Sequence, residues 1–144
     1  MTAVNLDVSA RRVWVRAMAL AAVAYVVIGI VFAALAKSAD VNYVRLWRLA
    51  AWVASAAVAA AHIGYEHYRL GSSPRPTALH AAGAVALGAF GLAVAANVHW
   101  MFAETHGQRS PLLALPVWPV IAAIPAFLVA LAVAAVLARL SRRG

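Results

Sequence analysis

The chain is 144 residues long, 66% of them hydrophobic and only 11% charged, whereas soluble domains average roughly half apolar and a quarter charged residues. A soluble fold of this size cannot hide so much apolar surface, and the length allows one domain, residues 1–144. The formal net charge of +8 comes from Lys and Arg at the borders of apolar runs rather than from a basic patch suited to nucleic acid, and the lack of cysteine excludes disulfides, iron–sulfur clusters and thiol chemistry.

Residues 13–36 read as a first membrane span. Its charge-free core, residues 17–36, has 20 residues, the length that a hydrocarbon core of roughly 30 Å demands. Arg11, Arg12 and Arg16 ahead of it and Ala34-Leu35-Ala36 at its end also suit a secretory signal, but signal cores run to only about 7–15 residues, so the length favours a span. A second span covers 43–70 around a charge-free centre at 49–65, a third covers 76–102, and a fourth opens at Pro111 and closes by residue 138 ahead of Arg139, Arg142 and Arg143. The connections are short, which makes consecutive helices antiparallel neighbours. The expected fold is an all-α integral membrane protein, four transmembrane helices in an up-and-down bundle embedded in a lipid bilayer.

Orientation follows from the basic residues. The N-terminus (Arg11, Arg12, Arg16), the middle loop (Arg69, Arg75) and the C-terminus (Arg139, Arg142, Arg143) carry eight, against four at the other two connections (Lys37, Arg45, Arg48, Arg109). This bias places both termini in the cytoplasm of a bacterial inner (plasma) membrane and argues against dual topology. The proline-rich fourth span has no counterpart among the others, so an inverted repeat within one chain is not expected.

The second span holds the most informative pattern. Arg48, Ser55, His62 and Arg69 recur every seven residues, with Trp52, Ala59 and Glu66 in the turns between. Residues three, four and seven apart share a helix face, so one polar stripe runs along the span and is expected to turn toward other helices or a wet cavity. In the third span, His80, Ala84, Gly88, Gly91 and Ala95 form a row of small residues with one histidine at its end, a matching face on which helix two can approach closely. Counting outward from the loop at 71–75 puts His80 level with His67 and within one residue of Glu66, so Glu66 and His80 are expected to meet near the cytoplasmic boundary.

The resulting cluster of His62, Glu66, Arg69, Arg75 and His80 suits a polar or anionic ligand, whose oxygens the arginines and a protonatable histidine can gather. His62, Glu66 and His80 are also candidate ligands of a divalent metal, since His62 and Glu66 have the i, i+4 spacing that aims two ligands at one ion, although Arg69 would repel a cation. His67 and His80 are candidate axial ligands for haem, but His67 is turned from His62 by about 140° on the helix wheel. At the opposite boundary Asn97, His99, Trp100, Glu104 and His106 end the third span as polar and aromatic anchors, as do Trp14, Tyr43 and Trp47 elsewhere. Pro116, Pro119 and Pro125 should kink or partly unwind the outer half of the fourth span.

No H-E-x-x-H, nucleophile elbow, phosphate loop or dinucleotide fingerprint occurs in the sequence, and enzyme activity is not the leading expectation. That expectation is a small multi-pass binding or transport module acting on a polar or anionic ligand. The alternatives are a haem- or metal-binding redox membrane protein and a non-catalytic accessory subunit whose polar stripe only joins helices. Ala56, Ala60 and Gly64 offer a second small face, expected to pack against another copy as a homo-oligomer.

Overall fold

The computed structural model describes residues 3–37, 39–102 and 111–141. It is all-helical among those residues, with four helices long and apolar enough to cross a membrane: α1 (Ala3–Lys37), α2 (Val41–Tyr68), α3 (Pro74–Met101) and α4 (Ala114–Ser141), the last preceded by a 3-10 turn at Pro111–Leu113. Glu104, His106 and Arg109 of the α3–α4 connection and Arg142 and Arg143 at the C-terminus lie outside the described residues.

The helix bounds depart from the hydrophobic runs for local reasons. α1 begins ten residues ahead of the predicted span at residue 13, because no proline or glycine precedes the apolar run to stop the helix from extending back through polar sequence. α2 closes at Tyr68, where the Arg69 N–H donates to the Tyr65 carbonyl and the Ser72 N–H to the Glu66 carbonyl at 3.2 Å. Gly71 carries the chain out with φ 61, a left-handed conformation that strains any residue with a β-carbon. α3 starts two residues ahead of the expected Pro76: Ser73 is its N-cap and Pro74 its first residue, and both prolines fall in the first turn, where backbone N–H groups have no intrahelical acceptor. α4 runs on as α-helix through Pro119 and Pro125, so the prolines do not unwind it. Each only leaves the carbonyl four residues earlier, on Leu115 and Ile121, without its usual donor.

The helices alternate in direction. Trp14 of α1 meets His80 of α3, and His67 of α2 meets Ser141 of α4, at one end, while Phe32 and Trp47 join α1 to α2 at the other. α3 is the central helix, with 28% of its most apolar window buried against 11% for each of the others. It packs most extensively on α4 and α1 and only lightly on α2. The small row of α3 therefore seats α1 rather than α2, as the glycines show. A β-carbon on Gly88 would lie 2.7 Å from Tyr25 Cβ and 3.4 Å from the Ala22 carbonyl, one on Gly91 2.7 Å from Val26, and one on Gly83 3.0 Å from the Met18 sulfur. Small residues let helix backbones approach closely, and α1 offers Ala21 and Ala22 here, both buried. Ile63, Ala78, Ala81, Ala130 and Ala134 form a further core where α2 and α4 meet α3. Outward faces carry large apolar side chains such as Leu20, Leu49, Trp52 and Leu128.

Candidate functional site

Glu66 is set by the end of α2 and His80 by the second turn of α3, two regular helices joined by five residues. The expected contact is present: His80 Nδ1 lies 2.8 Å from Glu66 Oε1 and 2.9 Å from Oε2. An imidazole nitrogen has one proton to give, so these two distances describe one bond shared between two oxygens. Glu66 has no solvent exposure at all. A carboxylate so placed requires a countercharge or a proton, and the ring at 2.8 Å supplies either.

Around this pair the structure gathers groups from three helices. The indole of Trp14, in α1, stacks on the His80 ring with centroids 4.5 Å apart and planes within 5°, which fixes the ring plane that aims Nδ1 at Glu66. His62, one turn before Glu66, is 7% exposed; its Nε2 is 3.7 Å from Glu66 Oε1, beyond hydrogen-bond reach, and has no partner. Thr77, one turn before His80, is completely buried and its hydroxyl also lacks a partner. An unsatisfied buried polar atom costs about 1–3 kcal/mol, which falls here on His62 Nε2, 3.7 Å from the carboxylate, and on the Thr77 hydroxyl one turn before His80.

His62 also lines a groove of about 610 Å³ between α1 and α2, whose polar rim is Arg16 and Tyr65 and whose walls include Leu20, Ala24 and Val58. The groove is open on its outer side, since Arg16, Leu20 and Tyr65 are exposed.

The remaining predicted site residues lie elsewhere. Arg69 and Arg75 are exposed, and among the described residues neither forms an ion pair with Glu66; Arg16 is the cation that lines the same groove as His62. The polar stripe does not stay on one face of the bundle. His62 and Glu66 are buried and Ser55 is half-buried, but Arg48, Trp52 and Arg69 are exposed. A seven-residue repeat drifts by about 20° per heptad on a straight α-helix, so Arg48 and Trp52, two heptads before His62 and Glu66, are turned from them by about 40°, while Arg69 follows the helix as its C-cap.

The two haem candidates are not brought together. His67 turns toward α4, its Nε2 lying 3.1 Å from Ser141 Oγ. That hydroxyl donates to the Leu137 carbonyl at 3.0 Å, so the ring N–H donates to Oγ. The reason is the 100° step per residue: with Glu66 aimed at α3, its successor must aim elsewhere. His62, Glu66 and His80 do converge, but among the described residues no three His, Cys, Asp or Glu side chains are arranged to hold a metal ion, both Glu66 oxygens being turned on one ring nitrogen.

Trp14, Thr77 and Arg16 were not legible as site residues. Trp14 and Arg16 read as ordinary boundary residues, and only the approach of α1 to α3 and α2 brings them in; Thr77 has no signal beyond its place one turn before His80. At the other boundary Asn97 is buried and donates to the Ala93 carbonyl of its own helix at 2.8 Å, while His99 is exposed. No protein-family model, no curated protein and no solved structure matches this chain.

Proposed function

We propose that this chain is an integral membrane protein of the bacterial inner membrane, with both termini cytoplasmic, and that it is a small binding or transport module for a polar or anionic group carried on an apolar body. The observation that supports this most is His62: a buried imidazole whose Nε2 lacks a partner, at the wall of a groove that also presents Arg16 and Tyr65. In this reading Glu66 and His80 are positioning residues. Their bond holds the cytoplasmic ends of α2 and α3 together, Trp14 ties α1 to them, and His62 is left to donate to an oxygen of the ligand while Arg16 balances its charge. The apolar walls beyond, from Leu20 to Ala24, take the ligand's body, so it enters sideways from the bilayer.

The test uses a brominated long-chain fatty acid, a carboxylate on an apolar chain whose bromines quench nearby indoles, with Trp14 as the reporter in protein whose other four tryptophans are replaced by phenylalanine. Saturable quenching is expected in the purified protein. His62→Phe and Arg16→Gln should each weaken it about tenfold or more, in keeping with charge-assisted hydrogen bonds of about 1.5–3 kcal/mol. Equal affinity in all three proteins would overturn the reading.

A second reading, the accessory subunit, draws on the Glu66–His80 bond itself, which joins two helices that otherwise touch lightly. It predicts that His62→Phe changes stability and leaves quenching unchanged. In either case a second copy is proposed to pack on Ala56, Ala60 and Gly64. The two alanines are exposed, and a β-carbon on Gly64 would meet nothing within 4 Å.

A further inference from the structure

At the end of the bundle away from the chain termini, where α1 closes and α2 opens, lies a second cavity of about 440 Å³. Lys37 and Arg48 both line it, beside the packed rings of Phe32 and Trp47, whose centroids are 6.1 Å apart, and the small residues Ala33 and Ala51 form its deeper wall. The position of Arg48 is unusual. A 28-residue helix is about 42 Å long at 1.5 Å per residue, so when it is centred on a hydrocarbon core of roughly 30 Å about 6 Å of each end projects beyond it. Arg48 is seven residues into α2, about 10 Å from its start, which puts its backbone inside the apolar layer and its guanidinium at headgroup level only when the side chain extends outward.

A guanidinium held at headgroup level beside a second cation favours an anionic partner, and among the described residues no carboxylate pairs with either. The ion pairs among the described residues both involve Glu66, at the opposite end, and Asp40, exposed at the N-cap of α2, joins neither Lys37 nor Arg48. We infer that the cavity seats the phosphate headgroup of an anionic membrane lipid, with phosphate oxygens between Lys37 and the Arg48 fork and an acyl chain along Ala33 and Ala51. A guanidinium matches phosphate with two parallel hydrogen bonds. The amine of a zwitterionic head would face two cations, which selects a lipid of net negative charge. The apolar wall running down from the cations selects a lipid over a free anion. This inference rests on the membrane-spanning reading and is independent of the His62 groove.

Delipidated protein in detergent is titrated with phosphatidylglycerol, with phosphatidylcholine of the same chains and with inorganic phosphate, and bound species are counted by native mass spectrometry. Wild type is expected to prefer phosphatidylglycerol by about tenfold or more, two basic residues each favouring it severalfold. Lys37→Gln/Arg48→Gln should lose the preference, and Arg45→Gln, which removes an exposed arginine outside the cavity, should keep it. Equal binding of the two lipids by wild type, an equal loss in Arg45→Gln, or displacement of the lipid by millimolar phosphate would each overturn the inference. Helix content by circular dichroism shows that the variants fold. Carbonate washing of membranes tests the premise separately: protein that is washed off refutes spanning, whereas protein retained without lipid preference refutes only this seat.

Discussion

Replacing Glu66 probes the centre of the site. In Glu66→Gln the carbonyl oxygen can still accept from His80 Nδ1, now at one atom in place of the two at 2.8 and 2.9 Å, and the amide nitrogen brings an N–H against the same ring nitrogen. A hydrogen bond to a charged group contributes about 1.5–3 kcal/mol and a neutral one about 1, so Glu66→Gln is expected to lose about 0.5–2 kcal/mol. Glu66→Leu leaves the part-buried His80 Nδ1 unpaired against a completely buried position and should lose about 2–3 kcal/mol, the upper part of the range for an unsatisfied polar group. Adding His80→Leu to Glu66→Leu removes the orphaned donor and should recover part of that loss. The assay is reversible unfolding in mixed micelles, followed by loss of helix signal, with the near-ultraviolet signal of Trp14 as a local readout, because its stack on His80 depends on the ring plane that Glu66 fixes. Losses below about 0.5 kcal/mol for both single variants, the range of substitutions that touch nothing important, would refute the reasoning.

Other outcomes follow from the packing. Gly88→Val places a β-carbon 2.7 Å from Tyr25 Cβ, an atom too near the backbone to swing aside, and should destabilise by about 1–3 kcal/mol or more through overpacking; Gly29→Ala meets only the flexible end of Leu92 at 2.5 Å and should cost less in the same unfolding assay. Gly64→Val, whose β-carbon meets nothing within 4 Å, should leave the monomer's stability unchanged and lower the oligomer mass in detergent by light scattering; an unchanged oligomer would remove that face from the assembly. Ser141→Ala breaks an exposed bond to His67 and should change stability by less than about 0.5 kcal/mol, checked by thermal unfolding.

The four helices were legible because span length and apolarity are properties of each segment alone. The Glu66–His80 contact was legible for a related reason: across a short loop, two regular helices keep register at 1.5 Å per residue, so counting from the turn gives depth. What could not be read was which helix faces which. The small row ending in His80 was matched to α2 by adjacency in sequence, but Gly88 and Gly91 lie against Tyr25 and Val26 of α1, since close packing is decided by surface shape rather than chain order. The same limit hid Trp14 and Arg16, whose roles arise only when α1 crosses toward α3 and α2. The seven-residue spacing overstated the stripe, because Arg48 and His62 share a face on a 3.5-residue helix and drift apart on a 3.6-residue one.

The energetics of the corner bear on the choice between ligand binding and helix joining. A pair kept only to join α2 and α3 could be replaced by apolar side chains of similar volume at no loss, and often at a gain of about 1–4 kcal/mol. Small residues already perform that task along α3, where Gly88 and Gly91 bring a neighbouring backbone close without any polar atom. Glu66 instead carries the desolvation of a carboxylate with no solvent exposure, and 3.7 Å from it the Nε2 of His62 is buried without a partner. These costs fall at one corner of three helices and coincide with the polar end of the α1–α2 groove. Helix joining explains the His80 bond but leaves His62 as expense without return, whereas a ligand oxygen at His62 would satisfy the orphaned nitrogen and give Glu66 a second role as its neighbour in charge. The double replacement Glu66→Leu/His80→Leu therefore separates the two accounts. If the pair only joins helices, the variant should be stable and should still take up the brominated fatty acid like wild type; if the pair positions His62, it should be stable and lose uptake.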